Sequence, residues 1–217
     1  MHNMAKQTEN SSIDWYFDFI SPFAYFQHYT LINQYPDITI NYYPILFGAI
    51  LQNHGNKGPA EIPSKRIMTY RYCTWQAKNR GIPFKFPEVH PYRPVSVLRL
   101  ALAAGITRES VSRIFEFIWV EGKDPSSPTN LLDLASQLGI GNLKEAIQQP
   151  SVKSQLRENT ERASSMEMFG VPTIIIGNKL FWGDDLTEMA MDYLSNPNLF
   201  DSEDFQRLET LPNGLTP

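Results

Sequence analysis

The sequence is short of sulfur. Cys73 is the single cysteine in 217 residues, which excludes an internal disulfide framework and any dithiol redox pair and suits a reducing compartment. Blocks of lysine or arginine are missing too. With a formal charge of −4 the chain offers nothing to hold a phosphate backbone, so nucleic acid is not expected as a partner. No apolar run approaches a membrane span, and the first residues are polar, without the hydrophobic region of a signal peptide. His28 and His54 have no second ligand at metal-binding spacing, so no metal is expected. These absences describe a soluble, cytoplasmic chain. Its 42% hydrophobic content supports one substantial core, or a small domain carrying an insertion.

What is present begins with an aromatic-rich strand, Ile13 to Phe19, that runs into Ser21-Pro22-Phe23-Ala24. Ser21 followed by Pro22 fits an N-cap and first-turn pair, and the helix they open continues through Phe23, Phe26, Gln27 and Thr30-Leu31 until Tyr35-Pro36 stops it. A second strand, Ile38 to Tyr43, completes a unit of the size of a right-handed βαβ crossover. From Pro44 to about Met168 the pattern is helical, with helices expected near 46–52, 64–79 (closed by Gly81), 94–104, 108–120, 129–138, 143–148 and 152–168. Strand character returns in Val171 to Ile176, and Gly177-Asn178 turns it into Lys179 to Trp182, a hairpin followed by a helix from Leu186 to Leu194.

The order βαβ, helices, ββα is that of an α/β thioredoxin-like sheet with a large all-helical insertion. Residues 12–50 and 166–195 are expected to form a discontinuous thioredoxin-like domain, 51–165 the helical insertion, and 1–11 and 196–217 peripheral tails. In that order the strand-to-helix corner usually carries Cys-x-x-Cys; here Ser21 and Ala24 stand in its place. A helix N-terminus can still hold an anion, including a thiolate, on free backbone N–H groups and the helix dipole. Val171-Pro172 is expected to be a cis bond opposite the corner, presenting the Val171 backbone to a short extended peptide that could bring its own thiol.

Asp18-Phe19-x-Ser21-Pro22-Phe23-x-Tyr25, Gly55-Asn56-Lys57 with Pro63-Ser64-Lys65, Phe169-Gly170-Val171-Pro172-Thr173, and Phe181-Trp182-Gly183-x-Asp185 together resemble the 2-hydroxychromene-2-carboxylate isomerase family. That family is DsbA-like and close to kappa-class glutathione transferases, and the resemblance runs from about residue 13 to 194. It implies a glutathione-dependent isomerase that interconverts 2-hydroxychromene-2-carboxylate and trans-o-hydroxybenzylidenepyruvate, a step of naphthalene breakdown. Ser21 would be the catalytic residue, donating a hydrogen bond to the glutathione sulfur. The resemblance further places Asn56, Lys65, Val171, Pro172, Asp184 and Asp185 around the tripeptide. From the residues alone, Asn56 reads as a loop cap, Lys65 as a solvated lysine and Asp185 as an N-cap. Asp184 departs from the family pattern, which more usually has a neutral residue there, and Leu186 stands where a basic residue often follows.

An aromatic carboxylate substrate needs an apolar wall and a cation. Tyr25, Tyr92 and Arg93 are the candidates, the last two on the proline-braced loop Pro87 to Pro94, where a surface connector is an equal reading. Cys73 reads as a packed small residue near Trp75 on the apolar side of its helix. A kappa-like transferase and a non-catalytic binding module on a DsbA-like scaffold remain as alternatives. Relatives often form dimers, and a homodimer stays open.

Overall fold

The computed structural model describes residues 12–214; the expected N-terminal tail, 1–11, lies outside them. The chain runs β1 (Ser12–Phe17), α1 (Pro22–Gln34), β2 (Thr39–Pro44), α2 (Phe47–Asn53), a 3-10 turn (Pro59–Glu61), α3 (Pro63–Arg80), α4 (Val95–Ala103) and α5 (Arg108–Trp119). It continues with α6 (Pro128–Gln137), α7 (Leu143–Ala146), α8 (Pro150–Ser165), β3 (Thr173–Ile176), β4 (Lys179–Trp182), a second 3-10 turn (Asp184–Leu186), α9 (Thr187–Ser195) and α10 (Glu203–Leu208). The four-stranded sheet has the order β2-β1-β3-β4. β1 pairs parallel with β2 and antiparallel with β3, and β3 pairs antiparallel with β4.

β1 is an interior strand, flanked by β2 and β3, and it buries side chains on both of its faces. Ile13, Trp15 and Phe17 enter one core, and Tyr16 enters another on the opposite face with Ile45, Ile50, Ala163 and Met168. The two-residue period of a strand sorts them this way. The larger core does not stop at the sheet. It is continuous through Phe26 and Leu31 of α1, Val97 and Leu98 of α4, Val111 and Phe115 of α5 and Leu134 of α6. Sheet and helical segment therefore share one interior, which fixes the helices relative to the corner at Ser21.

Local signals explain the element ends. Pro22 opens α1 behind the Ser21 cap, and α3 stops at Gly81, whose φ of 64° is left-handed backbone that a side chain disfavours. The segment expected as a polar C-terminal tail is partly docked. Phe200 stacks on Tyr193 and Phe181, at ring-centroid distances of 5.1 and 6.1 Å, and α10 follows it. Cys73 is fully buried as expected, whereas Trp75 is 59% exposed and points the other way. Burial pushes the Cys73 thiol up to about 12, so it stays protonated and inert.

Candidate functional site

The corner is assembled by the turn between β1 and α1. The Ser21 N–H donates to the Asp18 carbonyl at 3.1 Å. Asp18 is fully buried; its Oδ1 accepts from the Ile20 N–H and its Oδ2 from the Phe47 N–H, each at 3.1 Å. Loss of solvent pushes this carboxyl up to about 7 even though both backbone bonds favour its ionised form. Asp18 thereby ties the turn to the start of α2. Two more backbone groups here are held from afar: Trp119 Nε1 donates to the Phe19 carbonyl at 3.0 Å, and His90 Nε2 lies 2.8 Å from the Ile20 carbonyl.

Ser21 is buried, with φ −90° and ψ 118°, and its Oγ accepts from the Ala24 N–H at 3.3 Å. Among the described residues its hydroxyl proton has no acceptor, and the Phe23 N–H has no partner. Pro22 contributes no N–H. A hydroxyl proton, one open amide and the positive end of a thirteen-residue helix thus sit together, which is a place for an anion.

Val171-Pro172 is a cis bond, as the sequence suggested. Tyr16 pairs with Thr173, so Asp18 and Val171, two residues further on each chain, leave the sheet at the same end. Among the described residues the Val171 backbone N–H and C=O make no hydrogen bond. The Pro172 carbonyl accepts from the Gly183 N–H at 2.9 Å, joining this segment to the turn that carries Asp185. A residue the sequence reading passed over secures that turn. Gln27 of α1 is fully buried; its Nε2 donates to the Gly183 carbonyl at 2.9 Å and to Thr187 Oγ1 at 3.0 Å, and its Oε1 receives Trp15 Nε1 at 2.7 Å. A glutamine amid the apolar positions of α1 was the available signal, and its partner lies 156 residues away.

The expected polar contacts divide into two groups. Asn56, Lys65 and Asp185 are exposed, and among the described residues their side chains make no hydrogen bond or ion pair. Two residues before Asn56, His54 Nε2 lies 2.9 Å from the Met168 carbonyl, so this loop is fastened to the segment that precedes Val171. Asp184, by contrast, is turned inward. Its carboxylate is paired with the Arg80 guanidinium and accepts from Gln76 Nε2 at 3.0 Å. Burial raises this carboxyl and Arg80 opposes the rise. The departure from the family pattern is accommodated by a partner on α3, so Asp184 braces the turn from behind and its charge is already used.

Tyr25, Tyr92 and Arg93 are not gathered into one cleft. Tyr25 is buried, its hydroxyl donates to the Pro83 carbonyl at 2.5 Å, and it borders a cavity of about 350 Å³ between α1 and α5 with His28, Tyr29, Arg113 and Glu116. Tyr92 is buried in the core, with no partner for its hydroxyl among the described residues; the proline-braced loop folds this ring inward because its apolar area outweighs one hydroxyl. Arg93 is exposed and unpaired among the described residues. An apolar surface that the sequence reading did not assign lies next to the corner. The Phe23 ring faces Tyr72 at 6.2 Å, and Tyr72 stacks on Trp75 at 6.1 Å. Among the described residues no cluster of His, Cys, Asp and Glu is placed to hold a metal, and no helix is long and apolar enough to cross a membrane.

Comparison with known proteins agrees with this architecture. A 2-hydroxychromene-2-carboxylate isomerase of Sphingobium xenophagum is 28% identical over 84% of this chain and 97% of its own. Glutathione S-transferase kappa 1 of Caenorhabditis elegans is 24% identical, covering 85% of this chain and 91% of its own. The solved structure of a 2-hydroxychromene-2-carboxylate isomerase superposes with a TM-score of 0.72 at 24% identity, over 88% of this chain and all of that one, and so shows the same fold. The family model for the DSBA-like thioredoxin domain matches residues 12–195, and the chain belongs to that family.

Proposed function

We propose that this chain is a glutathione-dependent isomerase that interconverts 2-hydroxychromene-2-carboxylate and trans-o-hydroxybenzylidenepyruvate, as in naphthalene breakdown. The observation that carries the reading is a cysteine-free corner suited to a sulfur anion: among the described residues the Ser21 hydroxyl proton has no acceptor and the Val171 backbone no partner, and the two lie at the N-terminus of α1 and at the same end of the sheet. A small tripeptide with its own thiol suits the chemistry of this corner. Its backbone would pair with Val171 beside Pro172, a carboxylate would meet Lys65, an amide would meet Asn56 and the γ-glutamyl ammonium would meet Asp185. Each of those side chains is exposed and uncommitted among the described residues.

When bound, glutathione supplies a thiolate that adds to the conjugated carbon–carbon double bond and leaves again after rotation about the bond it has made single. The chain's part is electrostatic. Ser21 donates its hydroxyl hydrogen bond to the sulfur, and the open end of α1 favours the anion over the thiol. Ser21 forms no covalent bond in this scheme. Arg93, exposed, is a candidate cation for the substrate carboxylate. Phe23, beside Ser21, supplies apolar wall together with Tyr72 and Trp75 of α3, whereas Tyr25 borders a different cavity and stays outside this surface. A reducing, cytoplasmic setting suits the requirement for reduced glutathione.

A kappa-like transferase is the second reading, favoured by the relatives that carry that name. Both readings begin with the same thiolate and differ in whether the adduct eliminates. Mixing the protein with glutathione and hydroxychromene carboxylate separates them: the isomerase yields the trans enone with glutathione unconsumed, and stoichiometric loss of glutathione overturns it. Glutathione binding with no turnover by either route, indifferent to Ser21→Ala, would mark the scaffold as a non-catalytic binding module.

A further inference from the structure

The peptide that joins Ile20 to Ser21 is pinned on both of its edges. Its N–H, that of Ser21, donates to the Asp18 carbonyl at 3.1 Å, and its carbonyl, that of Ile20, receives His90 Nε2 at 2.8 Å. A peptide is planar and stiff, so holding both edges sets ψ of Ile20 and φ of Ser21 together. The remaining freedom of Ser21 is taken up by the bond from the Ala24 N–H to Oγ. The first of these grips is local to the turn. The second comes from a loop 70 residues away.

His90 is well fitted to be that grip and poorly fitted to move protons. A carbonyl oxygen only accepts, so Nε2 carries the ring proton, and Nδ1 of the neutral ring is the acceptor. Tyr70 of α3 stands 2.6 Å from Nδ1 and 2.8 Å from the His90 carbonyl, so its one hydroxyl proton is shared between these two acceptors and the ring is braced from the side opposite Ile20. The ring is wedged against Trp119 and Phe86, at 5.4 and 5.7 Å between centroids. Loss of solvent lowers the imidazole, which keeps it neutral. Tyr70 is its titratable neighbour, and Asp18 is the titratable group on the other side of Ile20.

We propose that His90, backed by Tyr70, is a positioning residue for Ser21, pinning the Ile20–Ser21 peptide from its carbonyl edge so that the Ser21 hydroxyl points where a bound sulfur lies. The link to sulfur rests on the glutathione reading above; the grip on Ser21 does not. Removing it loosens the hydroxyl, and a misplacement of about 1 Å costs on the order of 10²-fold in rate.

The test compares His90→Leu, which fills the space without a donor, with His90→Gln, whose amide can donate to the Ile20 carbonyl and accept from Tyr70. In His90→Leu the Ser21 amide is expected to exchange its hydrogen faster in the ligand-free protein. With glutathione, kcat is expected to fall about 10²-fold with little change in KM for glutathione, and the ultraviolet thiolate absorbance of bound glutathione is expected to weaken at neutral pH. His90→Gln should restore most of each, and Tyr70→Phe should lie between. A Ser21 amide unchanged in His90→Leu overturns the proposal, as does a loss of kcat that His90→Gln fails to recover, since both describe packing alone. If the wild-type protein shows no thiolate absorbance with glutathione, the functional reading fails, and the exchange of the Ser21 amide still decides the role of His90.

Discussion

At Ser21 the hydroxyl oxygen is engaged by the Ala24 N–H while its proton has no acceptor among the described residues. Ser21→Ala therefore removes one positioned donor and also the helix cap. The donor is worth roughly 10²-fold in kcat when it faces developing charge, and the cap about 1 kcal/mol of stability. Steady-state kinetics and urea unfolding read the two separately; near-normal kcat would remove Ser21 from the chemistry. The two adjacent aspartates make a sharper comparison. Asp185 is exposed without a partner among the described residues, so Asp185→Asn should raise KM for glutathione about tenfold, the size of one charge-assisted hydrogen bond. Asp184→Asn should instead lower stability, because it leaves the Arg80 guanidinium facing a neutral amide. If Asp184→Asn changes KM and Asp185→Asn does not, the assignment of the pair is reversed.

Among the elements, the turn between β4 and α9 has the most to lose, because its geometry is imposed by α1. Gln27→Leu keeps the volume but strips the partner from Trp15 Nε1 and from the Gly183 carbonyl, at about 1–3 kcal/mol for each buried group left unpaired. A lower urea midpoint together with a higher KM for glutathione is expected. A change in stability alone would show that the turn holds its shape without Gln27. Gly183 has φ 98°, and a Cβ built on it would overlap Asp185 Oδ1, so Gly183→Ala should displace the carboxylate directly. The sequence made the outline of these elements readable. Ser21-Pro22 and Gly81 marked helix ends, Gly177-Asn178 marked a hairpin, and each of these signals acts within a few residues. What stayed illegible depends on distant chain. The inward turn of Asp184 needs Arg80, the grip on Ile20 needs His90, and the burial of Tyr92 needs the packed core around it. No local pattern announces such pairings.

At the scale of the whole molecule, one continuous core holds two buried titratable groups whose effects on stability oppose each other. His28, beneath the sheet-facing side of α1, is lowered from 6.5 to about 3 by loss of solvent, so the folded protein refuses a proton that the unfolded chain takes up below 6.5. That makes stability fall as pH drops from about 6.5 to about 3. Asp18 is raised from 3.8 to about 7, so the folded protein keeps a proton that the unfolded chain releases, and stability falls as pH rises from about 3.8 to about 7. Between about 4 and 6.5 each state binds one proton at this pair, and the slopes cancel. Removing one member should unmask the other. In Asp18→Asn, stability measured by urea unfolding should rise with pH across that window relative to the wild-type protein. In His28→Phe it should fall. Subtracting the wild-type curve removes the surface carboxylates common to all three proteins. Parallel curves for the variants and the wild type would mean that neither group changes its proton affinity on folding, and the interior that supports the Ser21 corner would then be wetter than its packing indicates.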